Sequence, residues 1–339
     1  MKPSILYIGN DLSLNKSNVS IMSTFGPLLA KEGYKVYFAS SKKDKSLRLM
    51  DMLFKVIRYS HQVNFVLIDT YSTQNFYYAL LVSQLCRLFG LRYIPILHGG
   101  NLPNRLNTHP VMSASIFKHA FCNVAPSKYL KEQFEAYGYI NLKYIPNMIE
   151  IQNYHFFLNR DFTLPKLLWV RSFSKIYNPL MALKVLKSLK DLGYDATLCM
   201  VGPDTDGSLA QVEELAESLS IQVKLTGKLT KKEWAKLSED HNVFINTTDI
   251  DNTPVSVMEA MALGLPIVST NVGGMPYLVD HGINGLLVEK NNVDDMVKAI
   301  LYLFNEPEKR KLMILNARKL SETFDWQQIK MKWNEILQN

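Results

Sequence analysis

The stretch from Asp251 to Gly274, DNTPVSVMEAMALGLPIVSTNVGG, constrains the fold most. Thr253 followed by Pro254 reads as a helix start, with a hydroxyl N-cap and proline at the first helical position. From Val255 to Leu263 the helix is apolar on nearly every face, so it needs burial on all sides. Gly264 suits a left-handed helix end, Pro266 to Ser269 reads as a short buried strand, and Gly273-Gly274 turns the chain again. This helix and strand are one step of the alternation that runs through the chain, the pattern of a parallel α/β sheet with helices on both faces.

Two carboxylates stand in this apolar setting, Asp251 in the loop and Glu259 inside the helix. Their spacing puts them roughly 10 Å apart. That is too far for the acid pair of a retaining glycosidase, which needs about 5 Å. It suits a ligand rich in hydroxyls at both ends, with an anionic middle resting on the helix N-terminus. The alternative is a buried helix with one satisfied glutamate.

The remaining chain alternates strand and helix. Strands are predicted at 5–9, 35–40, 65–69, 92–97, 121–125 and 142–145, with helical stretches between them, one of them capped by Ser20 and running to Gly33. Residues 148–165 lack a pattern, and a second alternating set opens at Leu167 with LLWV. The length of 339 residues suits two domains. We expect a first domain over 1–150, a linker over 151–165 and a second domain over 166–323. An amphipathic tail helix follows over 324–339. The loop after the first strand, GNDLSLNKSNVS, carries one glycine in place of G-x-G-x-x-G, which argues against a dinucleotide-binding oxidoreductase.

The long stretch resembles the donor-binding signature of the retaining family 4 glycosyltransferases of the GT-B fold. The matching residues are Glu259-Ala260-Met261-Ala262, Gly264, Pro266-Ile267-Val268 and Gly273-Gly274, with an acidic residue eight positions before Glu259. The family usually has Glu at that earlier position, and this chain has Asp251. The resemblance implies two Rossmann-like domains with a C-terminal helix crossing back to the first. It also implies transfer of a sugar from a UDP- or GDP-linked donor to a saccharide or lipid-linked saccharide acceptor, with retention and without a cofactor. A nucleotide-sugar epimerase of the same fold and an inactive partner subunit are the rival readings.

The same resemblance assigns candidate roles. Arg171 and Lys175 follow the LLWV strand, where ligands sit in open α/β sheets, and two cations there suit a diphosphate. The family spaces this pair by five or six residues, against four here. His98 ends the strand RYIPIL before Gly99-Gly100, matching a family histidine near the donor sugar. Glu259 is expected on the ribose and Asp251 on the sugar, with Thr253, Pro254 and Val255 at the helix end. By the resemblance Gly202 is expected near the nucleotide, and Lys228 and Leu229 in the segment that usually reads the base. Asp249 and Asp251 form a D-x-D pair of the kind that binds Mn²⁺ or Mg²⁺ in another fold, but its place before a helix speaks against a metal.

Charge is uneven. Residues 1–165 hold 18 Lys and Arg against 9 Asp and Glu, whereas residues 166–339 hold 20 against 22. The basic half is expected to meet an anionic partner, and we expect weak, salt-sensitive contact with an anionic membrane face without insertion, through Lys42, Lys43, Lys45, Arg48 and Arg105. Nothing points to nucleic acid. No run of 18 uncharged apolar residues is present and the N-terminus reads as a strand, so a cytoplasmic setting is expected, peripheral to the membrane. Cys86, Cys122 and Cys199 lie scattered in apolar surroundings and read as reduced core residues.

Overall fold

The computed structural model describes residues 2–11 and 21–338. The expected Ser20 cap, and most of the loop after the first strand, lie outside them. The chain divides into two units, residues 1–147 with 329–339, and residues 148–328. The stretch 151–165, expected as a linker, falls inside the second unit, where Tyr154 and Arg160 are buried.

In the first unit, β1 (Ser4–Ile8), α1 (Ile21–Lys31), β2 (Lys35–Ala39), α2 (Lys45–Tyr59), β3 (Phe65–Thr70), α3 (Asn75–Leu88) and β4 (Arg92–Leu97) follow one another. Then come α4 (Leu102–Thr108), α5 (Pro110–Phe117), β5 (Asn123–Ala125), α6 (Lys128–Ala136) and β6 (Leu142–Tyr144). The strands form one parallel sheet in the order β2-β1-β3-β4-β5-β6. Parallel neighbours need crossovers, and the helices supply them while covering the sheet. All six residues of β3 are therefore buried, which explains their lack of alternation.

The second unit contains β7 (Lys166–Val170), α7 (Pro179–Asp191), β8 (Thr197–Val201), α8 (Ser208–Ser218), β9 (Lys224–Leu225), α9 (Lys231–Leu237) and β10 (Val243–Asn246). It continues with α10 (Val255–Ala262), β11 (Ile267–Thr270), β12 (Leu286–Val288), α11 (Val293–Asn305), α12 (Pro307–Glu322) and the first three residues of α13 (Trp326–Leu337). Its sheet runs β12-β11-β10-β7-β8-β9, again parallel. One core, around Trp169, Phe173, Leu186 and Ile300, packs with α7 and α11. A second, around Phe244, Met258, Met261 and Ile267, encloses α10.

From Ile329 onward α13 belongs to the first unit, in line with the expected crossing back. There Trp333 packs on Phe25 with ring centres 4.6 Å apart, and Tyr34 donates to Asn334 Oδ1 at 2.7 Å. Lys330 meets Glu32 at 3.0 Å.

Each sheet has one place where the strand order reverses, between β1 and β3 in the first and between β7 and β10 in the second. Loops leaving these strands diverge to opposite faces and open a crevice beyond their C-terminal ends. Of the candidate residues, Arg171 and Asp251 stand at the second of these places and His98 one strand away from the first, whereas Lys228 and Leu229 follow the edge strand β9.

Candidate active site

In the second unit, Arg171 leaves the end of β7 and Asp251 lies in the loop between β10 and α10. They form an ion pair, Arg171 Nη2 to Asp251 Oδ2, with both side chains only 14% exposed. The Arg171 guanidinium also sits 4.5 Å from the centre of the Tyr177 ring. Burial holds its pKa below the ordinary arginine value, partly offset by Tyr177. Its Nε is buried without a hydrogen-bond partner, which leaves a donor unspent.

Three glycines make this pairing sterically possible. A Cβ on Gly202 would lie 1.8 Å from the Arg171 carbonyl, at φ +151°. On Gly273 it would lie 2.2 Å from the Asp251 carbonyl, and on Gly274 1.9 Å from that of Asn252. Gly202, assigned from the resemblance to the nucleotide, thus has a structural duty of its own. Its backbone lets β8 close on the Arg171 loop, and its N–H donates to Gly227 O at 2.9 Å.

The loops are cross-braced. Thr247 Oγ1 accepts from Trp169 Nε1 at 3.0 Å and faces the carbonyls of Tyr177 and Asn178 at 2.9 Å. Asp249 N donates to Ile176 O at 2.8 Å. Lys175 opens a 3-10 turn, is exposed, and donates its backbone N–H to Asp206 Oδ2 at 2.9 Å. Arg171 is therefore the cation held in place, while Lys175 is displayed on the surface. Asp249 sits 3.7 Å from Lys290 Nζ, so both acids of the D-x-D pair have cationic neighbours of their own.

Helix α10 starts one residue later than expected. Pro254, not Thr253, occupies the N-cap position, and no side chain caps it. Pro254 O instead accepts from Val257 N and Met258 N at 3.1 and 3.3 Å. Ser256 Oγ, in the first turn, is buried without a hydrogen-bond partner. The opposite end is heavily braced by cations. Arg160 donates to the carbonyls of Leu263 and Gly264 at 2.8 and 3.1 Å, and Arg318 donates to that of Ala262 at 2.7 Å. Positive charge at the C-terminal end complements the helix dipole and anchors the helix. Burial lowers the Arg160 pKa to about 10.

Glu259 is buried inside α10 and already engaged. Tyr154 donates to its Oε1 at 2.6 Å, and Lys231 Nζ meets the same oxygen at 2.8 Å. Burial, then the Glu259 carboxylate, pushes the Tyr154 phenol far above its ordinary pKa. Tyr154 and Lys231 lie 105 and 28 residues from Glu259 and escaped the sequence reading, as did Ser256. Lys231 is the first residue of α9, directly after Thr230, which caps that helix in a full capping box with Glu233. Val255 is half-buried against the α10 core, as is Leu229, and Lys228 is exposed in the turn at Gly227.

In the first unit, His98 follows β4 and its Nε2 lies 2.8 Å from Asp69 Oδ1, both side chains being almost wholly buried. A carboxylate only accepts, so Nε2 carries the proton and donates. Tyr7 donates to the same oxygen at 3.0 Å. Burial and Asp69 together raise the Tyr7 pKa well above its ordinary value. Asp69 Oδ2 is buried without a partner, and a Cβ on Gly9 would come within 2.6 Å of it. Gly9 directly follows β1 and Asp69 is the penultimate residue of β3, at the reversal point of this sheet. Neither Tyr7 nor Asp69 was picked from sequence, because both sit in strands that read as plain core.

Residues 150–320 match the sequence profile described as "Glycosyl transferases group 1". An uncharacterized glycosyltransferase of Haemophilus influenzae is 32% identical over 156 residues, 46% of this chain and 44% of that protein. The capsular polysaccharide biosynthesis glycosyltransferase CapM of Staphylococcus aureus is 25% identical over 211 residues, 60% of this chain and 53% of that protein. The matched stretch thus spans about half the length of these curated relatives. Among solved structures, sucrose-phosphate synthase of Thermosynechococcus elongatus superposes with a TM-score of 0.86 at 16% identity, covering 99% of this chain and 98% of that one. HepE of Anabaena, in complex with UDP and glucose, superposes with a TM-score of 0.78 at 18% identity, covering 99% and 100%. At such identities these structures speak for the fold alone, which is the expected GT-B type of two parallel-sheet units. The profile match takes in just over half of the 339 residues, and with it the chain belongs to the group 1 glycosyl transferases.

Proposed function

We propose that this chain transfers a sugar from a nucleotide-sugar to an acceptor hydroxyl with retention of anomeric configuration, in the synthesis of a cell-surface polysaccharide or glycolipid. One observation carries the reading. A buried arginine is held on an aspartate at the reversal point of the second sheet, in the loop that leads into α10. Arg171 has an unspent buried donor for phosphoryl oxygens, and the first turn of α10 adds backbone N–H groups and the unpartnered Ser256 hydroxyl. Glu259, oriented by Tyr154 and Lys231, accepts from the ribose hydroxyls. Asp251 accepts from the sugar.

As the bond to the sugar breaks, charge grows on the diphosphate, and Arg171 and the α10 end stabilise it. The leaving diphosphate takes the acceptor's proton on the same face. These cationic and backbone groups do the neutralising that a metal ion does elsewhere, so the reading is metal-independent. His98, fixed by Asp69, is the first unit's candidate group, and its role rests on the family 4 resemblance alone. The UDP and glucose of the HepE complex and the role named for CapM support a nucleotide-sugar donor and a polysaccharide product. Retention rests on the family 4 resemblance. The excess positive charge of residues 1–165 favours an acceptor at an anionic membrane face.

The test is a thermal-shift panel of UDP- and GDP-linked sugars, followed by NMR of the product's anomeric configuration. A ligand at 100 times its dissociation constant adds about 2.7 kcal/mol of stability. We expect a shift with one nucleotide class that disappears in Arg171→Ala. No shift with any donor, or inverted product, overturns the reading.

A further inference from the structure

Helix α2 is apolar on two opposite sides. Its inner row, Arg48, Met52 and Val56, is buried. Its outer row is Leu47, Met50, Phe54 and Ile57, which are 57%, 65%, 63% and 52% exposed. The intervals of three, four and three residues bring these four side chains into an arc of about 80°, directly opposite the buried row, at about 100° per residue. A helix lying on a sheet ordinarily turns a polar face outward. Single exposed apolar residues need no explanation, but a continuous stripe of four large ones marks an interaction site.

The surroundings of the stripe are basic. Lys42, Lys43 and Lys45 are exposed where the helix begins, and Arg58 is exposed beside Ile57. The local acids are spent within the segment. Asp44 caps the helix by accepting from Ser46 and Leu47 N–H at 2.9 Å, and Asp51 pairs with Lys55 at 3.3 Å. Arg48 is not a surface cation, contrary to the sequence expectation. It is buried, and its guanidinium donates to the carbonyls of Lys42 and Lys43 at 2.8 and 2.7 Å. That clamp fixes the two lysines beside the first turn of the stripe.

We propose that the outer face of α2 docks on an anionic lipid surface and inserts Leu47, Met50, Phe54 and Ile57 among the acyl chains, with Lys42, Lys43, Lys45 and Arg58 on the headgroups. A second copy of the chain is the poorer occupant, because a symmetric contact sets these cations against one another. An interfacial helix needs an apolar face reaching about 5–10 Å into the boundary region, with lysines or arginines around it. The helix has both. It does not span: among the described residues no helix is long and apolar enough to cross a membrane. The proposal rests on the membrane-face reading above for its anionic partner and changes its character, from surface attraction to shallow insertion.

The experiment is sedimentation of the full chain with vesicles of phosphatidylcholine alone and with 30% phosphatidylglycerol, at low and high salt. Three proteins are compared: wild type, Phe54→Ser/Ile57→Ser, and Lys42→Gln/Lys43→Gln/Lys45→Gln. All substituted side chains are exposed, and circular dichroism checks folding. We expect wild type to bind the anionic vesicles and keep a measurable share of binding at high salt. The serine variant should lose about tenfold or more in partition at both salt concentrations, and the glutamine variant should lose chiefly the low-salt share. Serine-variant binding equal to wild type overturns the proposal. So does a wild-type dimer in analytical ultracentrifugation that the serine variant abolishes while wild type ignores vesicles, since the stripe is then an interface between copies. A UDP thermal shift on the same samples reports the glycosyltransferase reading separately, and we expect it unchanged in both variants.

Discussion

Gly274→Ala isolates the close approach that shapes the Arg171–Asp251 site. Gly274 has φ −83° and ψ −2°, a backbone that any L residue adopts, so alanine there meets no conformational penalty. What it meets is the Asn252 carbonyl, at 1.9 Å from the new Cβ, where ordinary contact begins at 3.4 Å. The two segments must part by about 1.5 Å. Asn252 is buried, and Gly274 N donates to Asp251 O at 3.0 Å, so separation disturbs packing and strains that hydrogen bond. Overpacking of this kind costs about 1–3 kcal/mol. Loss of glycine's freedom in the unfolded chain returns about 0.4–1 kcal/mol. The difference is a loss centred on about 1.3 kcal/mol and reaching about 2.6 kcal/mol, so the second unit should melt about 3–10 °C lower. The larger effect falls on chemistry, because a displacement near 1 Å at a positioned group costs about 100-fold in rate. Calorimetry and donor-dependent turnover measure both. Gly282→Ala is the control, with φ +79° and nothing within 4 Å of the added Cβ. It should lose about 1–2 kcal/mol from left-handed strain alone and keep its turnover. A Gly274→Ala protein that matches wild type in melting and rate refutes the reasoning.

Asp251→Glu keeps the charge opposite Arg171 and should retain activity, whereas Asp251→Asn should lose turnover more than folding, as steady-state rates and melting curves report. Equal rates in both variants would falsify the assigned role. Tyr154→Phe removes a 2.6 Å hydrogen bond to the buried Glu259 carboxylate and should cost about 1.5–3 kcal/mol in denaturant melts. A loss under about 0.5 kcal/mol means that Lys231 alone holds the glutamate. Turnover should persist in excess EDTA, and its abolition with rescue by Mn²⁺ would make Asp249 and Asp251 a metal pair. Burial pushes the thiols of Cys86 and Cys122 up to about 12 from an ordinary 9.0, and raises that of Cys199 too. None should react with Ellman's reagent at pH 8 until guanidinium unfolds the protein. The sign for stability follows: the folded thiols stay neutral while the unfolded ones ionise, so their contribution is intact below pH 9 and declines as pH rises toward about 12. A thiol labelled rapidly in the native protein contradicts this.

Local pattern was enough for some of these features. Apolar residues on every side of Val255–Leu263 announced a buried helix, unbroken apolar runs announced parallel strands, and Arg171 was marked by following one of them. These traits depend on period and burial, which neighbouring residues encode. The pairings were out of reach. Asp69 meets Tyr7 across 62 residues and His98 across 29, and Glu259 meets Tyr154 across 105, contacts that exist only once the strands stand in register. The close glycines read as turn formers, since a missing Cβ has meaning only against the carbonyl it would strike. Helix α2 shows the limit most plainly. Its sequence carries apolar residues on both sides and basic residues around them, and either side would serve as the inward one. Packing decides: the row at Met52 and Val56 meets the sheet, and the row at Leu47, Met50, Phe54 and Ile57 is left facing outward because a helix on one layer can be covered on one side only.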